Sequence, residues 1–110
     1  MYKVKKRLEV SAAHSLKLSY ESKCENLHGH NWVIDIYCKS ETLNDDGMVI
    51  DFSLLKDQVT RMMDHKNLNE VFEFNTTAEN LARWICDNVR NCYRVDVQES
   101  ENNIATYEKD

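Results

Sequence analysis

Three of the four histidines in this 110-residue chain fall at His14, His28 and His30, the last two inside the triplet His28-Gly29-His30. Side chains two residues apart share a face of a strand, whereas on a helix they diverge by about 200°. The two imidazoles can therefore meet one ion only if this segment is extended. If a strand ending near His14 pairs antiparallel with one beginning near His28, all three rings converge without a long-range contact. The connecting loop, Ser15 to Leu27, then hangs over the rings and carries Cys24. Three neutral ring nitrogens with an open fourth position are the donor set of a catalytic zinc, while structural zinc usually closes its shell with four protein ligands, often thiolates. The bland alternative, satisfied surface or core histidines, leaves the clustering unexplained. Gly29, one of only two glycines, leaves the opposite face bare for a ligand or a neighbouring chain to approach.

Hydrophobic spacing supplies the remaining elements. Tyr2 to Ala13 alternates, with Val4, Leu8, Val10 and Ala12 on one face, and Asn31 to Ser40 reads as a second strand. The second is apolar on both faces for much of its length, which in a small chain predicts helices on one side and something outside the monomer on the other. Asn44-Asp45-Asp46-Gly47 marks a turn, followed by a short extended stretch, Met48 to Ile50. Asp51 is placed to cap a helix from Phe52 to Met63, with Leu55, Val59, Met62 and Met63 at core spacing. Thr76-Thr77-Ala78-Glu79 has capping-box spacing and opens a second helix through Leu81, Ala82, Ile85 and Val89 to about Asn91. Tyr93 to Glu99 and Asn103 to Glu108 close the chain as strands. The order is ββααββ, an α+β domain with an antiparallel four-stranded sheet and two helices.

Composition bounds the function classes. The chain has the size of one domain, residues 1–110, with one core. A net charge of −5 and a pI near 5.3 argue against nucleic acid, since phosphate neutralisation needs a basic face and the lysines and arginines here are scattered. No apolar run approaches a membrane span and no secretory signal precedes the first strand, so a cytoplasmic protein is expected. The four cysteines form no CxxC pair; Cys38, Cys86 and Cys92 fall in apolar patterns and read as small buried hydrophobes.

Beside the histidines stand four further candidates. His65 follows Asp64 at the end of the first helix, where the macrodipole favours a charged imidazole; close to Cys24, such a ring would promote thiolate formation. An ordinary helix-terminal Asp-His pair is the competing reading. Glu99 ends a strand at a position whose alternation points inward, although a strand-end carboxylate is more often solvated. Glu25, beside Cys24 in the same loop, reads equally as a solvated carboxylate or as a second proton-transfer group that reaches a bound molecule from a different angle.

The segments Ser11-Ala12-Ala13-His14, Cys24-Glu25-Asn26-Leu27-His28-Gly29-His30-Asn31, Asp46-Gly47-Met48-Val49-Ile50-Asp51-Phe52, Met63-Asp64-His65-Lys66-Asn67-Leu68-Asn69, Thr77-Ala78-Glu79-Asn80 and Val97-Gln98-Glu99-Ser100 resemble, in order, the motifs of the 6-pyruvoyl-tetrahydropterin synthase family. They span nearly the whole chain. The resemblance implies the tunnelling fold, or T-fold, assembled into rings whose sheets form a barrel, with a hexamer of two stacked trimers expected. It implies that His14, His28 and His30 bind Zn²⁺ and that the substrate is a dihydroneopterin triphosphate. Cys24 is then the proton-abstracting base, tuned by an Asp64 and His65 contributed by a neighbouring subunit. Glu99 pairs with the guanidine-like edge of the pterin, and Thr77 hydrogen-bonds the same ring.

The spacing C-x3-HGH resembles bacterial 6-carboxytetrahydropterin synthases of the queuosine pathway rather than the pyruvoyl-forming animal enzymes, whose cysteine lies further upstream. The implied reaction converts 7,8-dihydroneopterin triphosphate and water to 6-carboxy-5,6,7,8-tetrahydropterin, acetaldehyde and triphosphate. Glu25 also creates E-x2-HGH, which resembles a folate-linked branch that cleaves the side chain to 6-hydroxymethyl-dihydropterin, so one chain carries the marks of both reactions. Val10 stands where the family often has Phe, and Thr76 where bacterial members often have Pro. A non-catalytic metal- or pterin-binding ring is the rival from another class; the retained Cys24, Asp64, His65 and Glu99 speak against it.

Overall fold

A computed structural model describes all residues, 1–110. Two long strands, β1 (Tyr2–His14) and β2 (His28–Ser40), form an antiparallel hairpin in unbroken register from Tyr2 opposite Ser40 to His14 opposite His28. β2 continues into β4 (Cys92–Ser100), and β4 into β5 (Asn103–Glu108), both antiparallel. Helix α1 (Phe52–Met63) follows the Asn44–Gly47 turn, capped by Asp51 Oδ1 on the Ser53 amide at 2.8 Å. Gly47 sits at φ 79°, a conformation that costs glycine least.

Four expectations are corrected. The sheet has five strands, in the order β3-β1-β2-β4-β5, because Lys66–Asn67 (β3) pairs parallel with Ala12 and Ala13. A one-turn helix, α2 (Leu68–Val71), lies between β3 and α3 (Ala78–Asn88), so the helices number three. A two-residue strand and a single turn are too short to leave a periodic signal. Met48–Ile50 bends rather than extends. The outer face of β2 is not apolar either: Asn31, Asp35 and Lys39 alternate there with Val33 and Tyr37. Asp35 is held by Arg7 through Nε at 2.8 Å and Nη2 at 3.0 Å.

The core lies on the other face. Leu8, Val10 and Ala12 of β1, with Trp32, Ile34, Ile36 and Cys38 of β2 and Val95 and Val97 of β4, meet Leu55, Val59 and Met63 of α1 and Leu81, Ala82, Ile85 and Cys86 of α3. Burial of these side chains on one sheet face, at about 25 cal/mol per Å² of apolar area, is what fixes the register. A slip of one residue would turn His14, His28 and His30 outward with the rest. No helix is long and apolar enough to cross a membrane.

Candidate metal centre and its surroundings

The hairpin register brings the three histidines together at one end of the core face. Ring centroids of His14 and His28 are 4.6 Å apart, those of His28 and His30 4.8 Å, and those of His14 and His30 5.2 Å. Trp32 is fully buried beneath them and packs edge-on against His14 and His30. Its indole N–H donates to the Ala12 carbonyl at 3.1 Å, fixing the floor of the site.

Backbone carbonyls set which nitrogen each ring presents. His14 Nδ1 lies 2.8 Å from the Thr76 carbonyl and His28 Nδ1 2.7 Å from the Asn26 carbonyl. A carbonyl only accepts, so both Nδ1 atoms carry the proton and both Nε2 atoms keep a free lone pair. His30 Nε2 sits 3.1 Å from Glu99 Oε1, yet the angle makes no hydrogen bond. Nε2 of His14 and Nε2 of His30 are therefore buried with no partner. Burial pushes both rings below the ordinary histidine range, opposed by Thr76 at His14 and by Glu99 at His30. An unpaired, buried acceptor such as Nε2 of His14 is costly unless something electropositive meets it. The donor atoms of His14, His28, His30 and Glu99 all lie within 4.8 Å of one another, so these residues can hold a divalent cation.

Glu99 also borders a cleft of about 280 Å³ lined by Ala78, Glu79, Asn102 and Asn103. The inward direction read from alternation is thus observed, and the carboxylate stands between this cleft and the histidines. The N-cap is Thr77 and not the Thr76 that the capping-box spacing implies, its Oγ1 accepting from Asn80 N–H at 3.1 Å, and α3 ends at Asn88 instead of near Asn91. Thr76 has a different task that the sequence reading missed. It is fully buried and holds His14 with its carbonyl and with Oγ1, 3.2 Å from Nδ1. A second threonine directly before an N-cap threonine was the available signal.

Cys24 lies half-buried in a single 3-10 turn, Lys23–Glu25, and is the only cysteine that is not buried. Glu25 is exposed. Asp64 and His65 follow the end of α1 and meet Ser11 of β1. Asp64 Oδ1 takes the Ser11 amide at 2.9 Å, His65 N–H donates to the Ser11 carbonyl at 2.7 Å, and the His65 side chain is 84% exposed. His65 adopts φ 58° and lines a cleft of about 440 Å³ with Ala13, Gly29, Asn31 and Lys66. Within one chain Asp64 and His65 share no hydrogen bond or ion pair with Cys24. A Cβ on Gly29 would meet only the Ala12 carbonyl, at 4.0 Å, so the chain's own packing does not demand glycine there.

The chain is similar to several known proteins. A 6-carboxy-5,6,7,8-tetrahydropterin synthase of Bacillus subtilis is 28% identical, the match covering 96% of this chain and 84% of that one. A dihydroneopterin monophosphate aldolase of Pyrococcus furiosus is 37% identical over 76% and 71% of the two chains. The solved 6-pyruvoyl tetrahydropterin synthase of Caenorhabditis elegans superposes with a TM-score of 0.78 at 30% identity, over 99% of this chain and 96% of that one. The family model described as 6-pyruvoyl tetrahydropterin synthase matches residues 3–110, and this chain belongs to that family of pterin-processing enzymes.

Proposed function

We propose that residues 1–110 form one T-fold unit of a zinc-dependent 6-carboxy-5,6,7,8-tetrahydropterin synthase serving queuosine formation. The observation that carries this reading is the pair of buried, unpartnered Nε2 atoms of His14 and His30, with His28 beside them and the Cys24 loop close by in sequence. His14, His28 and His30 hold Zn²⁺, which when bound supplies a Lewis acid for the hydroxyls of the substrate side chain. The C-x3-HGH spacing supports the carboxy-forming branch over the pyruvoyl-forming one; relatives of both names match the chain, at 28% identity for the Bacillus carboxy-forming enzyme and 37% for a 6-pyruvoyl tetrahydrobiopterin synthase of Dictyostelium discoideum.

The chain's own groups divide the remaining work. Cys24 Sγ takes a proton from the substrate side chain. Glu99 turns from the histidines to the guanidine-like edge of the pterin, where a carboxylate accepts two parallel hydrogen bonds. Thr77, the N-cap of α3 and the residue before Ala78 of the cleft that Glu99 borders, completes the contact to the ring. Trp32 and the core beneath it keep bulk water from the inner side of His14 and His30.

Asp64 and His65 serve the Cys24 of a neighbouring copy, consistent with the exposure of the His65 side chain and with the lack of any hydrogen bond or ion pair from either residue to Cys24 of the same chain. The sheet favours such assembly through its edges. β3 covers only Ala12 and Ala13, so β1 is open along most of its length, and β5 is the other free edge. Open edges of this length are usually covered in soluble proteins, and a ring of copies, two stacked trimers, covers both. Light scattering that finds a stable and active monomer would contradict this.

A second reading has an observation of its own. Glu25 is exposed beside Cys24, and the Pyrococcus relative is named an aldolase; side-chain cleavage to 6-hydroxymethyl-dihydropterin through Glu25 is therefore a second activity of the same site. The test is incubation with 7,8-dihydroneopterin triphosphate and mass spectrometry of the pterins. Wild type should form 6-carboxytetrahydropterin and acetaldehyde, Cys24→Ala should lose that product, and Glu25→Ala should lose only a hydroxymethyl product. A wild-type enzyme that yields only 6-pyruvoyltetrahydropterin overturns the carboxy assignment, and one that yields no hydroxymethyl product overturns the second activity.

A further inference from the structure

The loop carrying Cys24 leaves the end of β1 with no regular strand beside it, yet its first three residues are held on both edges. Asn69 Oδ1 accepts from Ser15 N–H at 2.7 Å, and Asn69 Nδ2 donates to the Ser15 carbonyl at 2.9 Å. Asn75 does the same to Lys17, at 3.0 and 2.9 Å. A carboxamide offers one acceptor and two donors on a peptide-like plane, so each side chain pairs with the backbone as a neighbouring strand would. β3 stops at Asn67, and these two amides continue its ladder beyond that end. Strand alternation turns the intervening Leu16 N–H to the opposite edge. There it donates to the carbonyl of Cys24 at 2.8 Å.

Both asparagines are themselves anchored. Asn69 N–H donates to Asn67 Oδ1 at 3.1 Å, and the Asn75 carbonyl accepts from Thr77 N–H at 2.8 Å and Asn80 Nδ2 at 2.9 Å. Asn75 directly precedes Thr76, which holds His14. One short segment thus supports both the histidine cluster and the Cys24 loop.

We propose that Asn69 and Asn75 are positioning residues for Cys24: they clamp Ser15 and Lys17 in extended form, so that Leu16 fixes the Cys24 backbone relative to the histidines. The inference rests on the reading of Cys24 as the base. Proton transfer tolerates little displacement, a misplacement of about 1 Å costing roughly 10²-fold. Neither asparagine touches substrate in this scheme, so the clamp acts on turnover rather than on binding.

The experiment uses the full-length, zinc-loaded protein and the variants Asn69→Ala and Asn75→Ala, which remove separate clamps, so that either one that folds decides the matter. Three readouts are compared: amide exchange at Leu16 with Ile34 and Ile36 of β2 as reference, iodoacetamide alkylation of Cys24 across pH, and kcat and KM for dihydroneopterin triphosphate. The other three cysteines are buried, so native-state alkylation reports Cys24. Exchange at Leu16 should rise about tenfold or more while β2 stays protected. The alkylation profile should change, and kcat should fall with KM and zinc content near wild type. Unchanged Leu16 protection overturns the clamp; a freed Leu16 with unchanged kcat overturns its role in positioning. A wild type that fails to turn over this substrate overturns the reading of Cys24 instead, and the exchange and alkylation data still decide the clamp.

Discussion

Replacing Thr76 by valine removes one hydroxyl from the support of His14 while preserving the shape of the side chain. Thr76 contacts His14 Nδ1 twice, through its carbonyl at 2.8 Å and through Oγ1 at 3.2 Å. The shorter bond belongs to the backbone and survives, and with it the tautomer that presents Nε2. The 3.5 Å contact from Oγ1 to the Ser15 carbonyl is also lost, but Asn69 Nδ2 still satisfies that carbonyl at 2.9 Å. A neutral hydrogen bond contributes about 0.5–1.5 kcal/mol net, and the longer of two shared branches belongs at the lower end, about 0.5–1 kcal/mol. At 1.4 kcal/mol per tenfold this corresponds to roughly two- to fivefold weaker zinc binding. To the extent that the metal-free ring already makes this bond, the loss appears instead as a lower melting temperature of the metal-free chain, by up to about 2–8 °C. Competition against a chromophoric chelator measures the first quantity and thermal denaturation followed by circular dichroism the second. Unchanged zinc affinity would refute a role for Oγ1 in holding the ring, and a hundredfold loss would refute the priority given to the backbone carbonyl.

Three other outcomes are expected. His28→Ala should lose most of the roughly one zinc per chain found by metal analysis of the wild type, since two imidazoles do not make an adequate zinc site; full retention would remove His28 from the ligand set. Cys24→Ala should keep its zinc and its assembly while kcat falls by about 10²-fold or more, and near wild-type turnover would exclude the thiol as base. Arg7 bonded to Asp35 holds that carboxyl below the usual aspartate range, so its contribution to stability is complete above about pH 4 and is lost as pH falls through the depressed value. Asp35→Asn should flatten that part of the acid denaturation curve, and an identical acid limb in the variant would disprove the linkage.

The histidine cluster was legible in the sequence because two short-range rules suffice to build it. Alternation puts His28 and His30 on one face, and an antiparallel hairpin returns His14 to the same end. The inward direction of Glu99 followed from the same period of two, and α1 from its cap and its spacing of four. Other features depend on contacts whose signals are not local. β3 is two residues long, and Asn69, Asn75 and Thr76 look like ordinary loop and capping residues until the tertiary fold sets them against Ser15, Lys17 and His14. The charged outer face of β2 was hidden because Arg7, which compensates Asp35, lies on another strand. Which groups Asp64 and His65 meet within the chain, namely Ser11 of β1, is likewise decided by how the helix end lies against the sheet. A ligand set at adjacent strand positions is written in the chain by backbone geometry, whereas the groups that orient those ligands are chosen by packing between distant segments.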